Sequence, residues 1–177
     1  MSEKKNMQFQ IRKLTAAGMM VALGVCLSAF SIPIGASKCF PIQHLVNVLA
    51  GIFLGPVYGT AMAFCTSLIR NLMGTGSLLA FPGSMVGACL CGLVYQKTHR
   101  MLLAYAGEIF GTGILGGMLC YPVAVWIMGR EAALFTYVLP FLVSTAGGTC
   151  IAAVLLAALS KSGALEILKG MLEAKAA

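Results

Sequence analysis

Long apolar runs separated by short polar breaks make up most of the chain. The runs lie at 14–34, 42–58, 59–73, 81–97, 102–128 and 134–160. A helix needs about 20 apolar residues to cross the hydrocarbon core of a bilayer. Glycine, proline and charged residues mark the breaks between the runs. We therefore predict an all-α integral membrane protein with six transmembrane helices in a compact bundle.

The third run is the shortest. At about 1.5 Å per residue, a helix over 59–73 extends only about 22 Å. We therefore expect the third helix to be short or broken, with its polar end inside the protein. Polar, glycine-containing backbone survives in a bilayer only where protein or a water-filled cavity satisfies its hydrogen bonds. The segment that follows, 70–85, is thus a candidate cavity wall.

Composition supports the membrane assignment. Of the 177 residues, 59% are hydrophobic and 10% are charged, and the mean hydropathy is +0.93. The twelve Lys and Arg residues give a net charge of +7, but they lie singly at the ends of apolar runs, which argues against a nucleic-acid partner.

The distribution of positive charge predicts the orientation in the membrane. With six spans and a cytoplasmic N-terminus, nine basic residues lie inside and three outside, as the positive-inside rule requires. The inner set is Lys4, Lys5, Arg12, Lys13, Lys97, Arg100, Lys161, Lys169 and Lys175, and the outer set is Lys38, Arg70 and Arg130. The breaks near 35–41, 70–82 and 129–133 then face outward and cap an outward-opening pocket.

Three regions follow from this topology. We predict a cytoplasmic basic arm at 1–13, a transmembrane substrate-binding domain at 14–160 and a cytoplasmic amphipathic tail at 161–177 that contacts membrane lipid. A signal peptide also begins with basic residues, but its apolar core is only about 7–15 residues long. The first run is longer, so we expect a retained span and a multi-pass protein with both termini in the cytoplasm.

The residue inventory argues against several kinds of chemistry. The chain has no Asp and only five Glu, which disfavours paired-carboxylate hydrolysis and Asp-held magnesium. No ATPase phosphate loop occurs, and the G-x-G-x-x-G match at 111–116 lies inside an apolar run, where it favours close helix packing. The seven cysteines form no C-x-x-C pair. We expect no disulfide framework, no metal, no cofactor and no enzymatic activity.

The second and third runs carry candidate ligand-binding side chains. Phe40, His44 and Asn47 share one helical face, with Gln43 beside it. Asn71 is a stronger candidate than Arg70, because an amide both donates and accepts hydrogen bonds whereas the arginine is able to snorkel to the surface.

The fifth and sixth runs supply further candidates. Glu108 is an acidic residue well inside a span, which makes it either a ligand contact or a partner for a basic or backbone group. Tyr121 and Trp126 belong either to an interfacial aromatic belt or to an aromatic platform for a flat ring. On the sixth run, Thr145 lies beside a face that carries other hydroxyl and aromatic residues. These small hydroxyls either bond across helices or line a cavity.

Small residues recur every four positions on the first run. Gly18, Ala22 and Cys26 form a stripe that serves either internal helix packing or docking of another membrane protein. The sequence leaves both interpretations open.

Three segments resemble the ThiW family of substrate-binding S components of energy-coupling factor (ECF) transporters. They are IPIGASKCFPIQHLVN at 32–47, RNLMGTGSLLAFPGSM at 70–85 and EIFGTGILGG at 108–117, within a resemblance that runs from about residue 12 to 160. The first two segments are specific, whereas the glycine-rich third is weak alone.

The resemblance implies uptake of the thiamin precursor hydroxyethylthiazole across the plasma membrane of a prokaryote. A transmembrane T component and two ECF ATPases would drive transport, and the T component would dock on the small-residue stripe of the first helix. The departure here is Gly18-x-x-x-Ala22 in place of the usual Ala-x-x-x-Ala. In the family the loops after the first and third helices cap the site, which places 37–44 and 71–81 at the ligand.

Together, residue chemistry and resemblance predict one binding site. Its candidate residues are Ser37, Lys38, Phe40, Gln43, His44, Asn47, Asn71, Thr75, Phe81, Glu108, Tyr121, Trp126 and Thr145. The alternatives are an S component for another vitamin or for a phosphorylated precursor, a stand-alone carrier, and a small membrane enzyme that uses Glu108 and His44.

Overall fold

The computed structural model describes residues 2–34 and 37–173, with side chains described at 7–28, 30–32 and 39–172. Within these residues the chain folds into seven helices and one short hairpin. The helices are α1 (Ser2–Cys26), α2 (Pro41–Leu54), α3 (Pro56–Leu72), α4 (Ala80–Thr98), α5 (Met101–Ile127), α6 (Val138–Lys161) and α7 (Ala164–Glu173). The hairpin pairs β1 (Ile32–Ile34) with β2 (Ser37–Cys39), antiparallel.

Helix α5 is continuous but not uniformly α-helical. It begins as an α-helix over Met101–Glu108, becomes a π-helix over Ile109–Gly116, returns to α over Gly117–Pro122 and ends as a π-helix over Val123–Ile127. π-Helical turns recur at functional sites, because they re-aim the side chains that follow them. The first π segment begins directly after Glu108.

The sequence predicted one helix over the first apolar run, but the structure differs. Helix α1 ends at Cys26, a 3-10 turn covers Leu27–Ala29, and Ile32–Ile34 forms a strand of the hairpin. Pro33 explains the end of the helical run, since proline cannot donate the backbone hydrogen bond that a helix interior requires.

The second and third helices meet at Gly55 rather than at residue 58. Gly55 has φ +84°, a conformation that favours glycine, and Pro56 then starts α3. The third helix is consequently 17 residues long and unbroken. It is short, as expected, and its polar end at Arg70 is buried, with 1% of the residue exposed.

Helix α4 lies at the centre of the bundle and packs against α2, α3 and α5, while α2 also packs against α6. Close approach depends on glycine: a Cβ on Gly111 would lie 2.9 Å from Gly87 Cα of α4, and one on Gly117 would lie 2.8 Å from Val138 Cα of α6. These contacts confirm the predicted small-residue packing faces of the fifth helix. Helix α1 lies at the edge, on α2 and α3.

Apolar side chains cover the outside of the bundle, and polar ones fill much of its interior. Large hydrophobic residues such as Leu72, Leu102 and Val154 are more than 70% exposed. Among the described residues, three helices are long and apolar enough to cross a membrane: Met7–Cys26, Met101–Ile127 and Val138–Lys161. An apolar exterior around a polar interior suits a protein surrounded by lipid.

Candidate functional site

A cavity of about 800 Å³ is lined in part by the residues that flank the hairpin, by the α3–α4 loop and by the α5–α6 loop. This volume falls within the range of about 300–1,000 Å³ that is usual for small-molecule sites. Its wall combines aromatic rings, hydroxyls, an amide, an imidazole and two guanidinium groups. The lining residues are Ser28, Ser31, Phe40, Gln43, His44, Arg70, Gly74, Thr75, Gly76, Ser77, Leu79, Ala80, Ser84, Thr112, Arg130, Thr136, Tyr137, Pro140, Phe141 and Ser144.

A buried carboxylate holds the imidazole on the cavity wall. Glu108 is 0% exposed, and its Oε1 lies 3.2 Å from His44 Nδ1. The same oxygen accepts hydrogen bonds from Asn47 Nδ2 at 3.1 Å and from Thr112 Oγ1 at 3.0 Å. Oε2 has no hydrogen-bond partner among the described residues. Glu108 of α5 is therefore hydrogen-bonded to two side chains of α2, and it orients the imidazole that lines the cavity.

A second polar chain connects α2, α3 and α4. Gln43 Nε2 donates to Ser67 Oγ at 3.3 Å, and Ser67 Oγ lies 3.0 Å from Ser84 Oγ. Asn47 Nδ2 also donates to the Ser84 carbonyl at 3.2 Å. Buried polar groups that satisfy one another in this way fix their side chains in position. The floor of the cavity is therefore preorganised.

The α3–α4 loop folds around the end of α3. The Arg70 carbonyl accepts hydrogen bonds from Thr75 N at 2.9 Å and Gly76 N at 3.0 Å, and Gly74 takes φ +72° to allow the turn. Asn71 Nδ2 donates to the carbonyls of Ser67 at 2.8 Å and Ser77 at 3.0 Å. Asn71 thus ties the loop to its helix, and it does not line the cavity.

The hairpin is attached to α6. Phe40 N donates to Ser144 Oγ at 2.9 Å, and Cys39 Sγ donates to the Pro140 carbonyl at 3.6 Å. Burial raises the pKa of the Cys39 thiol, so it stays protonated and behaves as a small packing residue. These contacts hold the Phe40 ring over the cavity.

Some of the predicted site residues line the cavity, some support a residue that lines it, and the others do neither. Phe40, Gln43, His44 and Thr75 line the cavity. Glu108 contacts His44 from behind, and Asn47 donates to Glu108. The backbone of Ser37 and Lys38 forms strand β2, but their side chains lie outside the described part of the structure.

The remaining four candidates do not line the cavity. Phe81 packs its ring against Phe64, with the centroids 5.6 Å apart. Trp126 is 80% exposed, Tyr121 is half-buried, and Thr145 is 0% exposed, with no described partner for its Oγ1.

The sequence ranked Arg70 below Asn71, and on the sixth run it selected Thr145 rather than the neighbouring face. Arg70 does not snorkel to the surface but lines the cavity. Tyr137, Phe141 and Ser144 line it as well, at a spacing of four and three residues that places them on one helical face. The sequence indicated this face from its helical spacing and left cavity lining open for it, whereas the neighbouring Thr145 does not line the cavity.

The stripe at Gly18, Ala22 and Cys26 lies on the exposed side of α1. A Cβ on Gly18 would meet nothing within 4 Å. Within the bundle, α1 packs through its other face, which includes Ala17 and Gly24. The stripe therefore does not serve internal packing of the described residues.

Comparison with known proteins gives one match. A family model described as thiamine-precursor transporter protein (ThiW) matches residues 14–162. No individually curated protein matches the chain. The matched range covers α2 to α6 and contains every described residue that lines the cavity.

Proposed function

The chain belongs to the ThiW family of thiamine-precursor transporters, and we propose that it is the substrate-binding S component of an ECF-type importer for hydroxyethylthiazole. The family match over residues 14–162 carries the proposal, because it fixes a transport function and thiamine precursors as its substrates. The membership also identifies a membrane transporter and not an enzyme.

The cavity chemistry supports a small aromatic ligand. A thiazole ring is flat and mostly apolar, and aromatic rings favour stacked or edge-to-face contacts with it. Phe40, Tyr137 and Phe141 supply such rings. Specificity in a cavity of this kind comes from a few well-placed polar groups.

We propose that His44 binds the hydroxyl group of the ligand. A carboxylate only accepts hydrogen bonds, so Glu108 Oε1 requires a hydrogen on His44 Nδ1. In the neutral imidazole, Nε2 is then an acceptor. The ligand hydroxyl would donate to Nε2, and Gln43 and Ser84 would offer further polar contacts.

We propose six spans, formed by α1 to α6, in the plasma membrane of a prokaryote. The hairpin and the two loops over the cavity would face outward, and the basic arm, α7 and both termini would lie in the cytoplasm. The positive-inside rule supports this orientation. Arg12 Nη1 donates to the Met171 carbonyl at 3.2 Å, which would keep α7 beside the start of α1 at the inner side.

Energy for transport would come from other polypeptides. We propose that a transmembrane T component docks on the exposed stripe of Gly18, Ala22 and Cys26 and that two ECF ATPases act through it. The edge position of α1 supports this docking face, because small residues let a second helix approach closely.

Ligand binding to the purified protein tests the substrate assignment. Titration calorimetry with hydroxyethylthiazole should show saturable binding at one site. Two control ligands, biotin and the pyrimidine precursor of thiamin, should bind far more weakly. Saturable binding of another vitamin, with none of hydroxyethylthiazole, would contradict the assignment and favour a related specificity.

Uptake by cells tests the S-component role. Cells that produce this chain with a T component and the two ATPases should accumulate labelled hydroxyethylthiazole, and cells that lack the T component should not. Equal uptake without any T component would establish a stand-alone carrier instead.

A further inference from the structure

Arg70 places a buried positive charge on the wall of the cavity. The residue is 1% exposed, and its side chain is among the largest that are fully buried. Among the described side chains no carboxylate lies within ion-pair distance of Arg70, and the buried Glu108 carboxylate contacts His44 instead. A buried charge without a counter-ion is strongly unfavourable, so a functional role would explain why an arginine occupies this position.

Neutral groups position the guanidinium. Arg70 Nη1 donates to Gln43 Oε1, and Nη2 donates to the Thr75 carbonyl at 3.3 Å. The Phe40 ring lies 4.2 Å from Arg70 Cζ, a cation–π contact. Nε has no hydrogen-bond partner among the described residues. The guanidinium is therefore fixed in orientation while donor capacity remains unused.

The surroundings of Arg70 are also electropositive. Arg130 lines the same cavity. Helix α4 is 19 residues long and begins at Ala80 on the cavity wall, with no capping hydrogen bond from the side chain of Leu79. The start of a helix carries a partial positive charge. The first two N–H groups of α4 donate to the carbonyls of Ser77 and Leu78, so the helix contributes this charge rather than free donors. None of the described lining residues is acidic, and Glu108 lies behind His44.

Resting on the function proposed above, we propose that Arg70 forms an anion subsite and that the preferred ligand is a thiazole carrying an oxyanion, either a phosphate monoester or a carboxylate. Guanidinium is well suited to both groups, because its planar fork donates parallel hydrogen bonds to two oxygens. The subsite adds to the ring site and extends it towards the α3–α4 loop, which supplies Thr75.

The positive charge of the cavity wall also predicts that cationic ligands bind weakly. Like charges repel strongly in a site from which water is removed. Intact thiamin carries a permanently charged thiazolium ring, so it should bind more weakly than the uncharged thiazole.

Calorimetry with matched ligands tests the subsite. The ligands are hydroxyethylthiazole, its phosphate monoester and the acid in which the terminal CH₂OH is oxidised to a carboxylate. Wild-type protein should bind at least one anionic ligand about tenfold or more tightly than the alcohol, the effect expected of a charge-assisted hydrogen bond. The anion with the higher affinity identifies the oxyanion that the site takes.

Variants assign the preference to Arg70. Arg70→Gln should bring the affinity ratio of anion to alcohol close to one, and Arg70→Lys should keep part of it. Arg100→Gln, which removes an exposed arginine beyond the end of α4, should keep the wild-type ratio. A preference that persists in Arg70→Gln would overturn the assignment.

The outcomes separate the two proposals. Wild-type protein that binds the alcohol as tightly as both anions would overturn the anion subsite and leave the transport function in place, even if Arg70→Gln failed to fold. Wild-type protein that binds none of the three thiazoles would contradict the proposed function itself.

Discussion

At the scale of single residues, the site depends on Glu108. Its Oε1 receives two donors in addition to His44 Nδ1, so one carboxylate oxygen sets the orientation of the imidazole. A hydrogen bond to a charged group contributes about 1.5–3 kcal/mol. The charge of Glu108 should therefore matter for ligand affinity although the residue itself does not line the cavity.

Glu108→Gln is the substitution that tests this role. The amide no longer requires a hydrogen on His44 Nδ1, so hydroxyethylthiazole should bind about 10- to 100-fold more weakly. Calorimetry on protein that remains monodisperse in gel filtration gives the measurement. Glu166→Gln, an exposed change on α7, serves as the control. Unchanged affinity in Glu108→Gln would show that His44 does not need the carboxylate.

Residue chemistry alone predicted part of this site. The polar and aromatic side chains on one side of the second run placed Phe40, Gln43 and His44 at a ligand pocket, and all three line the cavity. Thr75, which also lines it, was added by the family resemblance. It favoured Asn71 over Arg70, yet Asn71 holds the loop and Arg70 lines the wall. Adjacent residues on a helix point in directions about 100° apart, and only tertiary packing determined which of them faces inward.

At the scale of elements, the approach of α4 to α5 positions the carboxylate. Gly87 lies where the two helices meet, opposite Glu108 and Thr112. A Cβ there would overlap Thr112 Oγ1 and lie 2.7 Å from Glu108 Oε2. The hydrogen bonds of Glu108 thus require a glycine on the neighbouring helix.

Gly87→Ala should therefore lower both stability and ligand affinity. Overpacking a buried contact costs about 1–3 kcal/mol, whereas alanine usually stabilises a helix relative to glycine. Gel filtration after heating reports the loss of stability, and calorimetry reports the affinity. Gly170→Ala is the matched control, because its Cβ would meet nothing within 4 Å. Similar melting behaviour in the two variants would contradict the close packing.

The elements themselves followed well from hydrophobic periodicity, except near the first loop. Each apolar run contains a helix, but the boundary predicted after residue 58 falls at Gly55, which has a positive φ, as Gly74 does in the next turn. The run 14–34 was misjudged because Ile32 and Ile34 are as apolar as the helix before them. Hydrophobicity does not distinguish a short strand from the end of a helix.

At the scale of the whole molecule, the cavity lies at one end of the bundle, where Arg70 and Arg130 line it, and Lys13, Lys97 and Arg100 lie at the other end. Residues on either side of the hairpin and residues of the loops after α3 and α5 line the cavity. The α2–α3 and α4–α5 turns and the start of α7 belong to the other end, where Lys13 Nζ donates to the Leu54 carbonyl at 3.4 Å. The sequence predicted this polarity from charge, but the polar network inside the bundle required the fold.

Labelling of introduced cysteines tests the proposed orientation. In a chain with its seven cysteines replaced, a cysteine at Ala133 in the α5–α6 loop should react with an impermeant maleimide on intact cells. A cysteine at Gln96, near the end of α4, should react only after the cells are permeabilised. The opposite pattern would place the cavity loops inside the cell and contradict the orientation.

The most direct test of the account is to fill the cavity and measure binding. Ala80 lines the cavity, whereas Ala157 lies on the exposed side of α6, so the two positions allow the same substitution inside and outside the site. Calorimetry should show that Ala80→Trp abolishes hydroxyethylthiazole binding and that Ala157→Trp retains wild-type affinity. Wild-type affinity in a folded Ala80→Trp protein would contradict the placement of the substrate in this cavity.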